Sequence, residues 1–225
     1  MTLKNRNLGL MTNKEHYNET YFDYQKDIGL FGGLANKIKF EDLVKKDQKV
    51  LDFGCGGGYL LDNFNQIEKN GVEINKEAVQ EAKKKHIKIY NTSSELPSNT
   101  FDLIISNHAL EHCDNPLIEL KELYRSLKIN GIICIVVPLE TSRYKYFEND
   151  INFHLYSWSP LNLGNILNNV GFKVIESKTF EHAWFPFHKV IKKFVSWRTF
   201  HILCKIYSKI SIKYSQTRAI AKKIS

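Results

Sequence analysis

Residues 49–58 read Lys-Val-Leu-Asp-Phe-Gly-Cys-Gly-Gly-Gly, a short apolar strand that runs directly into a glycine-rich turn. Glycines let the backbone turn tightly and approach a ligand with no Cβ in the way. Seventeen residues after Gly56, Glu73 ends a second predicted strand, over 72–74. A carboxylate at that position accepts hydrogen bonds from ribose hydroxyls. The pair of features indicates a cofactor that carries a nucleoside.

Strand and helix patterns alternate on both sides of this turn. Helices are predicted over 59–67, 76–85, 116–127 and 161–170, and further strands over 87–90, 101–106, 132–137 and 171–180. Residues 14–46 have helical spacing and predict two helices, broken near Gly29, Gly32 and Gly33. Alternation of this kind predicts an α/β fold with a doubly wound sheet, whose ligands bind at the carboxyl ends of the strands.

Two cofactor classes compete for the turn. A dinucleotide site requires a further glycine three residues after Gly56, and Tyr59 occupies that position. Asp52 precedes the turn, where an acidic side chain suits the cationic amine of S-adenosylmethionine. The residues therefore favour S-adenosylmethionine, and an NAD(P)-dependent oxidoreductase is kept as the alternative. A non-catalytic module that only binds the cofactor is a second alternative.

The motif order resembles that of the class I S-adenosylmethionine-dependent methyltransferases. The resemblance starts at 50–58, continues through 71–74, 95–97 and 101–112, and ends with 127–138 and 171–172. It covers about 45–180 and implies a seven-stranded Rossmann-like sheet with N-terminal helices and a helical insertion before the last strand. Residues 217–224 are the expected last strand, which returns to the sheet.

The resemblance also implies roles for individual residues around the cofactor. Gly54, Cys55 and Gly56 face its methionine end, Glu73 holds the ribose, and Ile74 packs beside the adenine. Ser93 and Ser94 lie in the loop that meets the adenine, and Asn107 faces the sulfonium. Thr92 stands where the family often has an aspartate for the adenine amine.

Methyl transfer needs an aligned acceptor and, in some cases, a base that removes the acceptor's proton. His112 and His154 are the candidate catalytic residues, with His108 and Tyr156 as weaker alternatives. Oxygen is the expected acceptor atom because the sequence shows no carboxylate cluster for recognising an amine. No metal site is expected, since no clustered set of ligands is visible.

The sequence predicts a single methyltransferase domain over 1–225. Its parts are an N-terminal helical cap over 1–46, a cofactor-binding core over 47–180, basic amphipathic helices over 181–215 and the last strand over 216–225. The four cysteines form no CxxC pair, and the N-terminus has no apolar stretch typical of a signal peptide. A cytoplasmic setting is expected.

The net charge of +8 is concentrated near the C-terminus. Residues 178–225 hold eleven Lys and Arg and one acid, whereas the remaining residues hold 21 basic and 23 acidic side chains. A nucleic-acid partner is therefore not expected, because its basic residues would line the catalytic cleft. The expected acceptor is a small molecule, a sugar or a lipid-linked sugar.

Residues 187–214 have two apolar stripes with lysines opposite, which predicts two helices with a bend near 196–199. One interpretation is that both stripes pack on the body of the protein and cap the acceptor pocket. The alternative is a peripheral contact with the inner face of the membrane, since Lys, Trp, Phe and Tyr together suit an anionic interface.

Overall fold

A computed structural model describes residues 19–140, 144–146, 148, 150, 152–211 and 215–225, with side chains from Ile28 onward. Seven strands of these residues form one sheet: β1 (Lys49–Phe53), β2 (Glu68–Val72), β3 (Lys88–Tyr90), β4 (Phe101–Asn107), β5 (Leu127–Pro138), β6 (Lys173–Phe180) and β7 (Gln216–Lys222). Their order is β3-β2-β1-β4-β5-β7-β6, and β7 is antiparallel to both of its neighbours. The predicted seven-stranded Rossmann-like sheet is confirmed.

The helices cover the two faces of this sheet. They are α1 (Glu19–Asn36), α2 (Tyr59–Asp62), α3 (Lys76–Lys83), α4 (Pro116–Ser126), α5 (Pro160–Val170), α6 (His188–Lys192) and α7 (Trp197–Ile210). Several predicted bounds were wrong: α2 is one turn long rather than reaching residue 67, β2 spans Glu68–Val72 rather than 72–74, and β5 begins at Leu127 rather than at residue 132. Glu73 therefore lies just beyond its strand, at the sheet's carboxyl edge.

The central strands are buried on both faces. Alternate residues of β4 enter different clusters: Ile104 packs with the α4 and α5 side chains, and Leu103 and Ile105 pack with the α2 and α3 side chains. A strand covered on both faces needs apolar residues almost throughout, which is the pattern of β4. The core thus fixes the strand ends that carry the polar site residues.

The predicted break of the N-terminal helix at its glycines was wrong. α1 runs through Gly29, Gly32 and Gly33 without interruption. A Cβ at Gly33 would lie 2.3 Å from the carbonyl oxygen of Tyr59, and one at Gly29 would lie 2.4 Å from the Tyr59 ring. The glycines therefore permit close packing of α1 on the glycine-rich turn after β1 (residues 54–58), which is called the cofactor turn below. Tyr17 and the Tyr21 side chain, which the sequence offers as possible covers of the cofactor from the N-terminal helical cap, lie outside the described residues.

The predicted bend between the two C-terminal helices is present at Ser196, whose side chain accepts a hydrogen bond from the Thr199 backbone N–H and begins α7. One face of α7, with Phe200 and Cys204 fully buried, packs against Ala35 and Phe185. Among the helices of the described residues, none combines the length and the apolar character needed to cross a bilayer.

Candidate active site at the carboxyl edge of the sheet

A cavity of about 1230 Å³ opens at the carboxyl ends of β1, β2, β4 and β5, below α1. The turn after β1 forms its floor, with positive φ at Gly54 (75°), Gly56 (52°) and Gly58 (75°). A Cβ at Gly54 would lie 2.3 Å from that of Ala109, whereas a Cβ at Gly56 would meet no protein atom within 4 Å. Gly54 is thus needed for packing, and Gly56 leaves open the space that a ligand would fill.

Glu73 is held in place by three backbone amides. Its Oε2 accepts from the Gly56 N–H at 2.8 Å, and its Oε1 accepts from the N–H groups of Ile74 at 2.9 Å and Asn75 at 2.8 Å. Burial raises the pKa of this carboxyl, although the three amides oppose the shift. A carboxylate has about four lone-pair sites, so capacity remains for a ribose hydroxyl.

Asp52 and Cys55 have different surroundings beside the turn. Asp52 is buried, and its Oδ1 accepts no hydrogen bond from the residues that the structure describes. Burial, and then the charge of Glu73, raises the pKa of Asp52 well above its usual range. Such an atom fits a cationic ligand amine, which would supply the missing donor. The Cys55 thiol instead lies against Gly71, where an added Cβ would come within 2.4 Å.

The expected adenine region lies between β2 and β3. Ile74 is 47% exposed and lines the cavity together with Thr92 and the buried Ser93. Ser94 is exposed and lies outside the lining, and its hydroxyl is 2.8 Å from that of Thr92. An exposed isoleucine beside hydroxyl groups suits a planar heterocycle with polar edges. The cavity thus has a glycine-rich floor, a carboxylate with acceptor capacity at Glu73 and an exposed apolar side chain at Ile74.

Lys39 is a site residue that the sequence analysis missed. It follows α1 in a 3₁₀ turn (Lys37–Lys39), is 2% exposed, and donates from Nζ to Asn107 Oδ1 at 2.8 Å. Burial lowers the pKa of Lys39 to about 7, opposed by Glu111. No sequence motif marks this lysine, because only the packing of α1 on the turn brings it to the end of β4.

The structure brings His112 and His154 together. Their rings are 4.9 Å apart, edge to face, and both line the cavity. His154 Nδ1 lies 2.6 Å from Glu140 Oε1. A carboxylate only accepts, so His154 donates from Nδ1, and in the neutral imidazole the lone pair is then on Nε2. Glu140 orients the ring in the way that a carboxylate orients a catalytic histidine.

Glu111 lies behind this pair and is fully buried. Neither of its carboxyl oxygens accepts a hydrogen bond from the described residues. His108 Nδ1 is 3.6 Å and His112 Nε2 is 3.8 Å from Glu111 Oε1. Burial raises the pKa of Glu111 to about 8. The sequence analysis assigned this residue no role in the site.

The two weaker candidates for a base are engaged elsewhere. His108 Nε2 is 3.1 Å from Gln216 Oε1, and burial together with Lys39 lowers the pKa of His108 to about 3. The Tyr156 hydroxyl donates to the Asp114 carbonyl oxygen at 3.1 Å, and Tyr156 lies outside the cavity lining. His108 also lines the cavity, but its lowered pKa makes it a poor base, so His112 and His154 remain the stronger candidates.

One wall of the cavity comes from the segment after β6. His182, Ala183, Trp184 and His188 line it. The His182 Nε2 lies 2.9 Å from His201 Nδ1 of α7, so the wall is joined to the C-terminal helices. Sequence analysis did not assign these residues to the site, since the segment has no motif and its place depends on the packing of α7.

Comparisons with known proteins show which proteins this chain resembles. A family model described as a methyltransferase domain matches residues 30–177. An uncharacterized protein of Methanocaldococcus jannaschii is 32% identical over 170 residues, which cover 70% of this chain and 72% of that protein. A ubiquinone biosynthesis O-methyltransferase of Pelagibacter ubique is 29% identical over 135 residues, 56% of each chain. The chain thus spans about half the length of that second relative.

Among solved structures, the fold is similar to that of a phosphoethanolamine N-methyltransferase of Haemonchus contortus in complex with S-adenosyl-L-methionine. The TM-score is 0.66 at 15% identity, with 96% of this chain and 61% of that chain covered. At this identity the likeness concerns the fold.

Proposed function

The chain belongs to the methyltransferase-domain family, and we propose that it transfers a methyl group to a hydroxyl oxygen of a lipid-linked acceptor at the inner face of a membrane. It is an S-adenosylmethionine-dependent methyltransferase, and S-adenosylmethionine is its cofactor. The bound cofactor supplies an electrophilic methyl group on a sulfonium. A nicotinamide cofactor is not favoured, in agreement with Tyr59 at the position of a third glycine.

The proposed cofactor contacts follow from the cavity floor. Glu73 takes the ribose hydroxyls, Asp52 takes the amine, and Gly56 leaves room for the chain between them. Ile74 and Ser93 border the adenine. Asn107, oriented by Lys39, faces the sulfonium side. Each assignment is supported by the position of the residue on the cavity lining.

Oxygen as the acceptor atom is supported by the groups that surround the reacting end. The Lys39 side-chain amine and the imidazoles of His112 and His154 lie there. A hydroxyl can give its proton to an imidazole. The His154–Glu140 pair positions the Nε2 lone pair toward that task, and its action would raise the nucleophilicity of the acceptor oxygen.

The proposal of a lipid-linked acceptor rests on the position of the segment after β6. This segment lines the cavity through Trp184 and then exposes Phe187 (80%) and Phe194 (83%) on either side of α6. None of the five residues of α6 is buried. Ile202, Ile206 and Ile210 of α7 are also more than half exposed. Exposed Lys193 and Lys205 accompany these apolar groups, as at an anionic lipid surface.

A product analysis tests the proposed reaction. The protein is incubated with S-adenosylmethionine carrying a labelled methyl group and with membrane lipid extracts from the source cells. Label in the organic phase, in a product that gains one methylene mass and carries a methyl ether, is the expected result. Label only in amines or in water-soluble acceptors would contradict the proposal, as would cofactor binding without any turnover.

Vesicle flotation tests the membrane contact. The protein should float with vesicles of phosphatidylglycerol and phosphatidylcholine, and the double variant Phe187→Ser/Phe194→Ser should remain at the bottom of the gradient. Tyr146→Ser is the matched control, because Tyr146 is 94% exposed but lies outside α6 and α7. Equal flotation of all three proteins, or none by the unmodified protein, would remove the membrane contact from the proposal.

A further inference from the structure

The side chains of Glu111, His112 and His154 converge at the acceptor end of the cavity. One ligand atom from each, a carboxylate oxygen and two imidazole nitrogens, lies within 4.8 Å of the other two. Glu111 and His112 come from the 3₁₀ turn after β4 (Leu110–His112), whereas His154 comes from the loop after β5. Two separate loops thus bring three donor groups to one place.

We propose that Glu111, His112 and His154 bind a divalent transition-metal ion. Two imidazoles and one carboxylate form the ligand set of many catalytic zinc sites, and of iron(II) sites with open positions. Ligand bonds of 2.0–2.2 Å place the donor atoms at most about 4.4 Å apart. Small side-chain rotations would therefore close the set around an ion.

The state of Glu111 points to a cation independently of the spacing. Its side chain is fully buried, yet neither carboxyl oxygen accepts a hydrogen bond from the described residues. A buried polar group without a partner is costly, and a buried carboxylate more so. A metal ion would supply the partner that the described protein groups do not give to the two Glu111 oxygens.

Glu140 gives a further sign of a metal site. It accepts the Nδ1 proton of His154 at 2.6 Å and thereby presents Nε2 as the free ligand atom. Metal-binding histidines almost always donate their other N–H to a carboxylate or carbonyl in this way. His112 and His154 line the cavity, so the remaining coordination positions would face the acceptor.

The role of the ion rests on the proposed function. The acceptor hydroxyl would bind the ion in place of water and lose its proton to water in the cleft. The oxygen lone pair would then form the bond to the methyl carbon, while the electrons of the carbon–sulfur bond return to sulfur. In this arrangement the ion lowers the pKa of the hydroxyl, so the imidazoles serve as ligands and no longer as the base.

Binding of Co²⁺ and Zn²⁺ by the full chain tests the site without any acceptor. The protein carries no polyhistidine tag, is stripped with a chelator, and is saturated with S-adenosylhomocysteine. We expect one equivalent of Co²⁺ to bind with visible d–d absorption and to be displaced by Zn²⁺. Glu111→Gln, His112→Gln and His154→Gln should each lower the affinity at least about 100-fold, and Glu140→Gln about 10–100-fold.

Controls separate ligand loss from misfolding. His86→Asn removes an exposed histidine of positive φ outside the site and should leave metal affinity unchanged. Each ligand variant should still bind S-adenosylhomocysteine within about twofold. No stoichiometric binding by the unmodified protein, or equal affinity in all variants, would overturn the site.

The two proposals fail in different ways. Full methylation of a hydroxyl acceptor after chelation, with no metal in the protein, would refute the role of the ion and leave the reaction standing. Stoichiometric metal binding at these residues without methylation of any hydroxyl would refute the proposed reaction and leave the metal site standing.

Discussion

Gly56 combines two properties that make it the sharpest test of the cofactor site. Its φ of 52° disfavours other residues, and a Cβ there would enter the cavity rather than the core. A left-handed conformation costs a non-glycine residue about 1–2 kcal/mol. Gly56→Val should therefore fold with a modest loss of stability and lose S-adenosylhomocysteine binding. Calorimetric titration, with a thermal melt of the same sample, measures both quantities.

Gly54 provides the contrast for that experiment. Because a Cβ at Gly54 would collide with Ala109 inside the protein, Gly54→Val should lower the melting temperature far more than Gly56→Val. If Gly56→Val bound S-adenosylhomocysteine normally, the glycine-rich turn would not be the cofactor site.

His182 is a buried imidazole whose charge opposes folding. It is 3% exposed, and burial lowers its pKa to about 3. His182 is therefore neutral in the folded state. The free energy of unfolding is unaffected by this residue above its unfolded-state pKa of about 6.5, and it falls as the pH drops below that value. At pH 5 this residue alone should lower the free energy of unfolding by about 2 kcal/mol.

His182→Gln should remove that acid sensitivity. Urea unfolding at pH 7.5 and pH 5.0 measures the difference in the free energy of unfolding, which should shrink by about 2 kcal/mol in the variant. His108 has a similarly lowered pKa, so part of the acid sensitivity should remain. An unchanged difference would show that the His182 imidazole is accessible to protons.

The residues that sequence analysis found and missed differ in how they reach the site. Glu73 and Gly56 follow their strands directly, so strand prediction alone places them on the carboxyl edge. Lys39 reaches Asn107 across 68 positions through the packing of α1. Glu140 reaches His154 within a loop of no regular pattern. Contacts of this kind depend on tertiary packing, which local sequence patterns do not encode.

At the scale of elements, α1 shows packing prevailing over helix propensity. Alanine in a helix is favoured over glycine by up to about 1 kcal/mol. A Cβ at Gly33 would, however, lie 2.3 Å from the Tyr59 carbonyl oxygen, a rigid backbone atom. Gly33→Ala should therefore destabilise the protein by about 1–3 kcal/mol, the usual cost of overpacking. Urea unfolding measures it.

Gly164 in α5 is the matched control for this substitution. A Cβ there would meet the Ser177 side chain at 3.4 Å, an ordinary contact. Gly164→Ala should be neutral or stabilising by up to about 1 kcal/mol. Equal effects of the two substitutions would mean that α1 can move away from the cofactor turn at no cost.

Periodicity located the two C-terminal helices but did not tell which of their faces is buried. Phe200 and Cys204 of the second stripe are in the core, whereas Phe187 and Phe194 of the first stripe are exposed. Both stripes have the same helical spacing, so the sequence kept packing and membrane contact as alternatives. The contact of Phe31 and Phe185 with α7 shows that the second stripe packs on the protein, and the sequence pattern does not contain this information.

At the scale of the whole molecule, the basic residues near the C-terminus fall into two groups. Arg218 of β7 is buried, with both oxygens of Asp42 within 2.9 Å of its Nη2, and Lys223 donates to Asn99 and the Leu127 carbonyl. These cations hold the last strand to the body. The lysines of α6 and α7 are mostly exposed, so the charge available to a partner lies beside the exposed apolar side chains.

This distribution predicts a graded electrostatic contribution to membrane binding. Each lysine near an anionic surface contributes about 1 kcal/mol, or about fivefold in affinity. Lys193→Gln, Lys205→Gln and Lys209→Gln together should weaken binding to phosphatidylglycerol vesicles by about 100-fold, and added salt should narrow that gap because it screens exposed charge. Vesicle co-sedimentation over a salt series measures the affinities. The control Lys45→Gln/Lys46→Gln/Lys121→Gln removes the same charge from exposed positions elsewhere. Equal weakening by both triple variants would mean that the net charge of the protein, not the α6–α7 surface, governs the attraction to the vesicles.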